Sequence, residues 1–304
     1  FPYLTAFWLS FGLLYLGYLG SKILSFLCSW GVGKALFSHL NSNMVKRLQI
    51  LSLNCKGLGC FQKRRRLRQV MKGYDLVCLQ ETHSTPEHCN RWLKYFGFEH
   101  GTFSHGDNRS RGAAVLVKQG TIMHCQAEPD GRIARVTVDT VYDGKPCLIT
   151  IVSVYAPNIA QTVASREEYL QLVQKVKQNL DSRPRVQGKQ DYILVAGDLN
   201  LAMGSQDAEP GATLASFELR EAWSDLLHEF ELVDSFREKF PDMRSYTFAP
   251  LGENRRGTFR RLDYIMASQG LMAEVEDVDH TTYSFSDHKA VTLKAAWDKP
   301  RGPA

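Results

Sequence analysis

Polar residues able to do chemistry stand at the ends of apolar runs in this chain, in a fixed order: Asn54, Leu79-Gln80-Glu81-Thr82-His83, Tyr155-Ala156-Pro157-Asn158, Gly197-Asp198-Leu199-Asn200 and Ser286-Asp287-His288. Hydrolysing a phosphodiester near neutral pH requires a metal ligand, a base for the attacking water and donors for the phosphate oxygens. These clusters contain all three kinds of group. Each cluster alone is a weak signal; their recurrence at the ends of strand-like runs is what points to one site.

Glu81 closes the run Asp75-Leu76-Val77-Cys78-Leu79, and Asn54 closes residues 48–53. A carboxylate with a nearby carboxamide suits a hard cation that takes oxygen ligands, above all Mg2+, with Mn2+ as a substitute. Taken singly, a Glu at a strand end is more often solvated or salt-bridged. Asp198 and Asn200 lie on one side of an extended backbone, although an isolated Asp-x-Asn is as often an Asx turn. Asp198 is the candidate base. A carboxyl near pKa ~4 and water near ~15.7 differ by roughly 16 kcal/mol for complete transfer, so deprotonation must be concerted with attack. Asn200 would orient the water or donate to a phosphate oxygen. His288 would donate to the phosphate if a second carboxylate oriented it, and Asp263 in Arg261-Leu262-Asp263-Tyr264-Ile265 is the candidate. Tyr155 offers a phenol, and Pro157 keeps the following backbone extended so that Asn158 is presented. The adjacent Ser286-Asp287-His288 cannot form a serine-hydrolase triad.

Two basic clusters flank these residues: Lys63-Arg64-Arg65-Arg66 with Arg68, and Arg255-Arg256 with Arg260-Arg261. Charge runs are commonly solvated faces. On both sides of a phosphate site they read as clamps for a nucleic-acid backbone, with Tyr246 and Phe259 available to wedge or stack against a distorted duplex.

The elements that must position these groups follow from periodicity. Apolar runs at residues 48–53, 74–79, 113–117, 133–141, 147–154, 192–196, 262–267 and 290–295 predict strands, and residues 62–72, 86–95, 165–180 and 214–230 predict helices. Strands outnumber helices and several follow one another directly, which argues for two sheets with helices outside. Among 304 residues, 44% are hydrophobic, enough for a sizeable core. The net charge is +5; setting aside Lys22 and Lys34 leaves 35 basic against 32 acidic residues beyond residue 43, too even to require a polyanionic partner without local clusters. Seven cysteines with no C-x-x-C pair predict buried free thiols in a reducing compartment.

Residues 1–21 carry no charge and are long and apolar enough for a bilayer helix. Three readings compete for residues 1–43: upstream sequence translated ahead of a true start at Met44, a membrane anchor over residues 1–30, or a buried or disordered appendage. The expected organisation is an apolar leader over 1–43, a catalytic domain over 44–298 and a tail over 299–304. Its expected location is the nucleus or cytoplasm, or a membrane if the leader anchors it.

Together with Tyr246-Thr247-Phe248, the ordered clusters resemble the endonuclease/exonuclease/phosphatase superfamily over about residues 45–296, and most of all the apurinic-type endonuclease domain of non-LTR (LINE-type) retrotransposons. The resemblance implies a four-layer α/β/β/α sandwich with its site where loops of both sheets meet. It implies Mg2+ on Glu81 and Asn54, Asp198 as general base, Asn200 orienting water or phosphate, Tyr155 and His288 on the phosphate, and Asp263 orienting His288. Asp287 would bind a second metal or stabilise the leaving group, with Asp198 and Asn200 also near the metal. Thr247 and Asn158 match supporting polar positions, and Arg64, Arg65, Arg256 and Arg260 would hold the substrate backbone. Repair enzymes of the superfamily often carry an acid two positions after the first Asn, where Lys56 stands here; this weakens an abasic-repair reading, fits the retroelement branch and lowers the expected Mg2+ affinity. In complete elements a reverse transcriptase follows and extends the nick, so the chain reads as a fragment or decayed copy.

The expected activity is therefore Mg2+-dependent nicking of DNA to leave a 3′-hydroxyl and a 5′-phosphate. Two alternatives stay open: a membrane-associated phosphodiesterase of the same fold, sphingomyelinase-like, and a nucleic-acid-binding relic without turnover.

Overall fold

Alternation of side chains along the longer strands divides the apolar residues into three layers, and two β-sheets separate those layers. The computed structural model describes residues 47–297 apart from 108, 143, 160, 161 and 250–257. The strands in chain order are β1 (Arg47–Asn54), β2 (Leu76–Gln80), β3 (His100–Ser104), β4 (Ala113–Val117), β5 (Thr121–Ala127), β6 (Ile133–Tyr142), β7 (Lys145–Tyr155), β8 (Gln190–Asp198), β9 (Leu232–Asp234), β10 (Asp263–Ser268), β11 (Val275–Thr282) and β12 (Lys289–Ala296). Helices are α1 (Phe61–Met71), α2 (Cys89–Phe96), α3 (Val163–Asp181), α4 (Phe217–Glu229) and the short α5 (Ser235–Lys239) and α6 (Gln269–Met272). One sheet runs β11-β12-β1-β2-β4-β3 and the other β5-β6-β7-β8-β10-β9.

Even-numbered residues of β1, such as Leu48 and Ile50, join Leu76 and Cys78 of β2, Val115 of β4, Ile149 and Ile151 of β7 and Leu194 of β8 in the core between the sheets. Odd-numbered neighbours point the other way. Leu51, Leu53, Val77 and Leu79 pack under Leu67 and Met71 of α1 and Trp92 and Phe96 of α2. On the opposite side Val152, Val154, Ile193 and Val195 meet Tyr169, Leu172, Val173 and Val176 of α3 and Leu219, Trp223 and Leu226 of α4. Those helix residues recur at three- and four-residue spacing, the signature of one buried stripe. The result is the four-layer α/β/β/α sandwich, with helices outside both sheets.

Each sheet contains one parallel pair, β1 with β2 and β7 with β8, and its other pairings are antiparallel. Parallel pairing brings the carboxyl ends of two strands together, so Asn54 stands beside Gln80 and Tyr155 beside Asp198. β10 runs antiparallel to β8 and places Asp263 directly opposite Asp198. β12 runs antiparallel to β1, which returns the segment before Lys289 to that same end.

The eight predicted strands are all present. Four others, β3, β5, β9 and β11, are the outermost strands of the two sheets. An edge strand buries less and carries a weaker apolar pattern; β5 has no buried residue, and β11 reads Val-Glu-Asp-Val-Asp-His-Thr-Thr. The apolar leader over 1–43 and the tail over 299–304 lie outside the described residues. No helix among the described residues is long and apolar enough to cross a membrane. The six described cysteines are free, and burial raises the thiol pKa of Cys55 and Cys78 to about 12.

Gly197 is where β8 comes closest to its neighbour. Its φ is +153°, and a Cβ there would lie 1.9 Å from the carbonyl oxygen of Val154 on β7. Backbone cannot yield as a side-chain tip can. Gly197→Ala is expected to destabilise the fold by about 3 kcal/mol, lowering Tm by about 10 °C in a calorimetric melt.

Candidate active site

The alternation that fills the inter-sheet core continues to the end of the strands, but there the residues become polar: Ser52 and Asn54 on β1, Gln80 on β2, Ser153 and Tyr155 on β7, Asp198 on β8 and Asp263 on β10. Gln80 donates to Ser153 Oγ at 3.0 Å, joining the two sheets just behind this polar end. Beyond it opens a cleft of about 860 Å3 whose walls include Glu81, Asp198, Asn200, Asp287 and His288.

Asn54 is the hinge of the arrangement. Its Nδ2 donates to Glu81 Oε1 at 3.0 Å and to Asp198 Oδ2 at 2.8 Å, the second bond crossing from one sheet to the other. The other oxygen of Asp198 accepts from the Asn200 N–H at 2.9 Å, so the carboxylate is fixed at both ends. Asn200 Nδ2 donates to Ala156 O at 2.8 Å, orienting that amide as well. Behind this turn the Tyr169 hydroxyl donates to Leu199 O at 2.7 Å and accepts from Trp223 Nε1 at 2.9 Å, pinning it to the outer core. Tyr155 hydrogen-bonds to Glu81, and burial, with the Glu81 and Asp198 charges, holds its phenol neutral by raising its pKa. Arg132, which the sequence alone did not single out, lies 5.1 Å from the centre of the Tyr155 ring and is buried.

Across the cleft His288 Nδ1 is 2.8 Å from Asp263 Oδ2, and its Nε2 is 3.9 Å from Asp198 Oδ2. Burial opposes a charged imidazole here, but the Asp263 and Asp198 charges outweigh it and raise the His288 pKa to about 10. Asp198 is pushed above the usual carboxylate range by burial and by the Asp263 charge. The Thr247 hydroxyl accepts from the N–H groups of Leu262 and Asp263 at 2.9 and 3.1 Å, setting the start of β10 from behind. Ser286 Oγ donates to Asn54 O at 2.7 Å and accepts from the His288 N–H at 3.1 Å, tying the His288 loop to β1.

Asn54, Glu81, Tyr155, Asp198, Asn200, Asp263, Asp287 and His288 thus meet at one end of the sandwich. Asn158 and Arg260 line the same cleft. Arg260 is held to Thr258 Oγ1 at 2.9 Å and Thr213 O at 3.0 Å. Arg64 turns back onto the Leu58 and Gly59 carbonyls, while Arg65 is exposed on α1. Arg256 lies outside the described residues. Arg261 points inward, paired with Asp207 at 2.8 Å and Asp234 at 2.6 Å, and is fully buried. Tyr246 and Phe259 stack on each other at 6.1 Å, with Phe259 exposed.

Backbone strain gathers here too. Among the described residues six non-glycines have positive φ, and Lys56 (48°), Glu81 (50°) and Asn200 (48°) each stand just past the end of a strand that feeds the cleft. Such conformations cost on the order of 1 kcal/mol or more and concentrate at functional sites.

The cleft wall near Glu81 is rich in oxygen, with the Glu81, Asp198 and Asp287 carboxylates and Asn200 lining it, while the Asn54 carboxamide turns its Nδ2 to Glu81 and Asp198 and its Oδ1 to the Lys56 N–H. The nearby Cys55 thiol is turned away, toward the Gln80 and Glu81 carbonyls. That set fits a hard divalent cation. Asp198, Asp263 and His288 also lie close enough together to hold a metal, but His288 Nδ1 is engaged by Asp263 Oδ2.

Comparison with known proteins agrees with this geometry. Residues 50–288 match the model of the Endonuclease/Exonuclease/phosphatase family. The chain is 27% identical over 266 residues to the transposon TX1 uncharacterized 149 kDa protein of Xenopus laevis, covering 81% of this chain and 18% of that one. It is 28% identical over 236 residues to a DNA-(apurinic or apyrimidinic site) endonuclease of Dictyostelium discoideum, covering 70% of this chain and 61% of the relative. It therefore spans less than two thirds of either relative. In fold it is similar to an AP endonuclease from Archaeoglobus fulgidus, with a TM-score of 0.64 at 20% identity over 81% of this chain and 98% of that one.

The His288–Asp263 pair has a spectroscopic consequence. The neighbouring Asp263 and Asp198 raise the His288 pKa to about 10, so the imidazole stays protonated through pH 8. In Asp263→Asn the burial remains while the nearest opposite charge is gone, so an NMR titration of the imidazole is expected to show its pKa lowered by at least two units.

Proposed function

Because the chain belongs to the Endonuclease/Exonuclease/phosphatase family, whose chemistry is phosphoester hydrolysis, we propose that it is a Mg2+-dependent DNA endonuclease of a retrotransposon, its catalytic unit lying within residues 44–298. The observation that carries this reading is the Asn54 bridge, which sets Glu81 and Asp198 in one cleft opposite the His288–Asp263 pair.

Glu81 and Asn54, with Asp198, Asn200 or Asp287 completing the oxygen set, would hold Mg2+, which when bound supplies Lewis-acid stabilisation of charge on the phosphate. The protein's own groups do the rest. His288 Nε2–H donates to a phosphate oxygen, and Asp263 keeps the ring oriented and charged while it does so. Asp198, buried and therefore more basic than an exposed carboxylate, takes the proton from a water as that water attacks phosphorus. Asn200 has its Nδ2 tied to Ala156 O, which leaves Oδ1 to accept from the same water. Tyr155, neutral and bonded to Glu81, keeps that carboxylate aimed into the cleft. Cleavage then leaves a 3′-hydroxyl and a 5′-phosphate, and the hydroxyl would prime a reverse transcriptase carried by the same element.

DNA is favoured over a lipid phosphodiester by the cations Lys56 and Arg260, which line the cleft. The Dictyostelium relative is itself named for DNA cleavage, and the Xenopus relative for a transposon.

Purified 304-residue chain with Mg2+ is expected to convert supercoiled plasmid to open circles. Glu81→Gln, Asp198→Asn and His288→Ala should each lower the nicking rate by about 10³-fold, near 4 kcal/mol of transition-state stabilisation. EDTA should abolish it. Undiminished nicking by all three variants, or turnover of sphingomyelin without nicking, would sink the reading.

A further inference from the structure

Lys56 holds a place in the cleft that neither the His288–Asp263 pair nor the oxygen ligands account for. Immediately past β1 the backbone takes two left-handed residues in succession, Lys56 at φ 48° and Gly57 at φ 81°. Three hydrogen bonds to side chains hold this turn: the Lys56 N–H donates to Asn54 Oδ1 at 3.1 Å, and Lys63 Nζ donates to the Cys55 and Lys56 carbonyls at 3.0 and 2.7 Å. The turn carries the Lys56 side chain over the cleft, where its ammonium is bonded to Asp287 Oδ2, 231 residues away in sequence. Lys56 keeps half its side chain accessible, while Asp287 keeps only 13%. A lysine on a strained non-glycine backbone, clamped by a second lysine and aimed at a largely buried carboxylate, is a built contact and not a solvated charge.

Charge balance gives the contact its meaning. Asp287 is one of three carboxylates on the cleft wall, with Glu81 and Asp198, and the Lys56 ammonium already occupies it. Another divalent ion at Asp287 would have to displace the ammonium or sit against it.

We propose that Lys56 is the resident cation of this site: held on Asp287, it fills the electrostatic role of a second divalent ion, so that the centre works with a single metal on Glu81 and Asn54. This rests on the metal-dependent reading above. An ammonium has three N–H groups; one is engaged by Asp287, and with half the side chain accessible the others can reach the oxygens of a bound phosphodiester.

Mn2+ titration of the full chain without DNA, followed by electron paramagnetic resonance, tests this separately from catalysis. The wild type is expected to bind one Mn2+ per chain and Glu81→Gln none. Lys56→Gln and Lys56→Asp, with folding checked by thermal melt, should each bind two, and Lys56→Arg should restore one. Two Mn2+ in the wild type, or one in both Lys56→Gln and Lys56→Asp, would overturn the proposal while plasmid nicking still upheld the nuclease. No Mn2+ bound by a folded wild type would overturn the metal-dependent reading and this proposal with it.

Discussion

A single carboxamide joins the two halves of the molecule at the point where they must agree. Asn54 gives one N–H to Glu81 on its own sheet and the other to Asp198 on the opposite sheet. The bond to Asp198 is buried, and leaving that acceptor unpaired would cost about 1–3 kcal/mol, more for a charged group. The geometry of the cleft thus depends on how the sheets stack over the apolar core beneath it. Gln80 repeats the link one layer down, bonding to Ser153 on β7. Residues far from the chemistry, such as Ile50, Ile149 and Leu194, act on it by fixing the distance those bonds must span.

Much of this was legible in the sequence, because the same alternation that marks a strand marks which face a residue takes. Asn54, Glu81, Asp198 and His288 were readable because each follows a strongly apolar run whose end had to be an end of the sheet. The interior strands were readable for the same reason. The four edge strands were not, since a strand with one paired side and one buried face at most has little apolar signal to show; β9 is only three residues long. The predicted helix over 214–230 begins at Phe217 instead, because residues 214 and 215 belong to the cleft wall.

Side-chain direction was the harder quantity. Arg260 and Arg261 are neighbours of one type, yet one lines the cleft and the other is buried between Asp207 and Asp234, stacked 4.4 Å from the Tyr264 ring centre. A charge run in a sequence cannot separate those two fates; the position of two acids, Asp207 and Asp234, does. Arg132 was missed for a related reason: it supports Tyr155 from the bend just before β6, and nothing in its own neighbourhood announces chemistry. Backbone strain at Lys56, Glu81 and Asn200 had no sequence signal, since none of the three is a glycine.

β1 and β12 are paired through the middle of one sheet, Arg47 opposite Ala296 and Ser52 opposite Val291. The first described strand therefore waits for the last, and contacts so distant in sequence form slowly. β1 meets β2 early in the chain, but its other neighbour exists only once β12 has been made. A polypeptide that ends before His288 lacks both that imidazole and the β12 neighbour of β1.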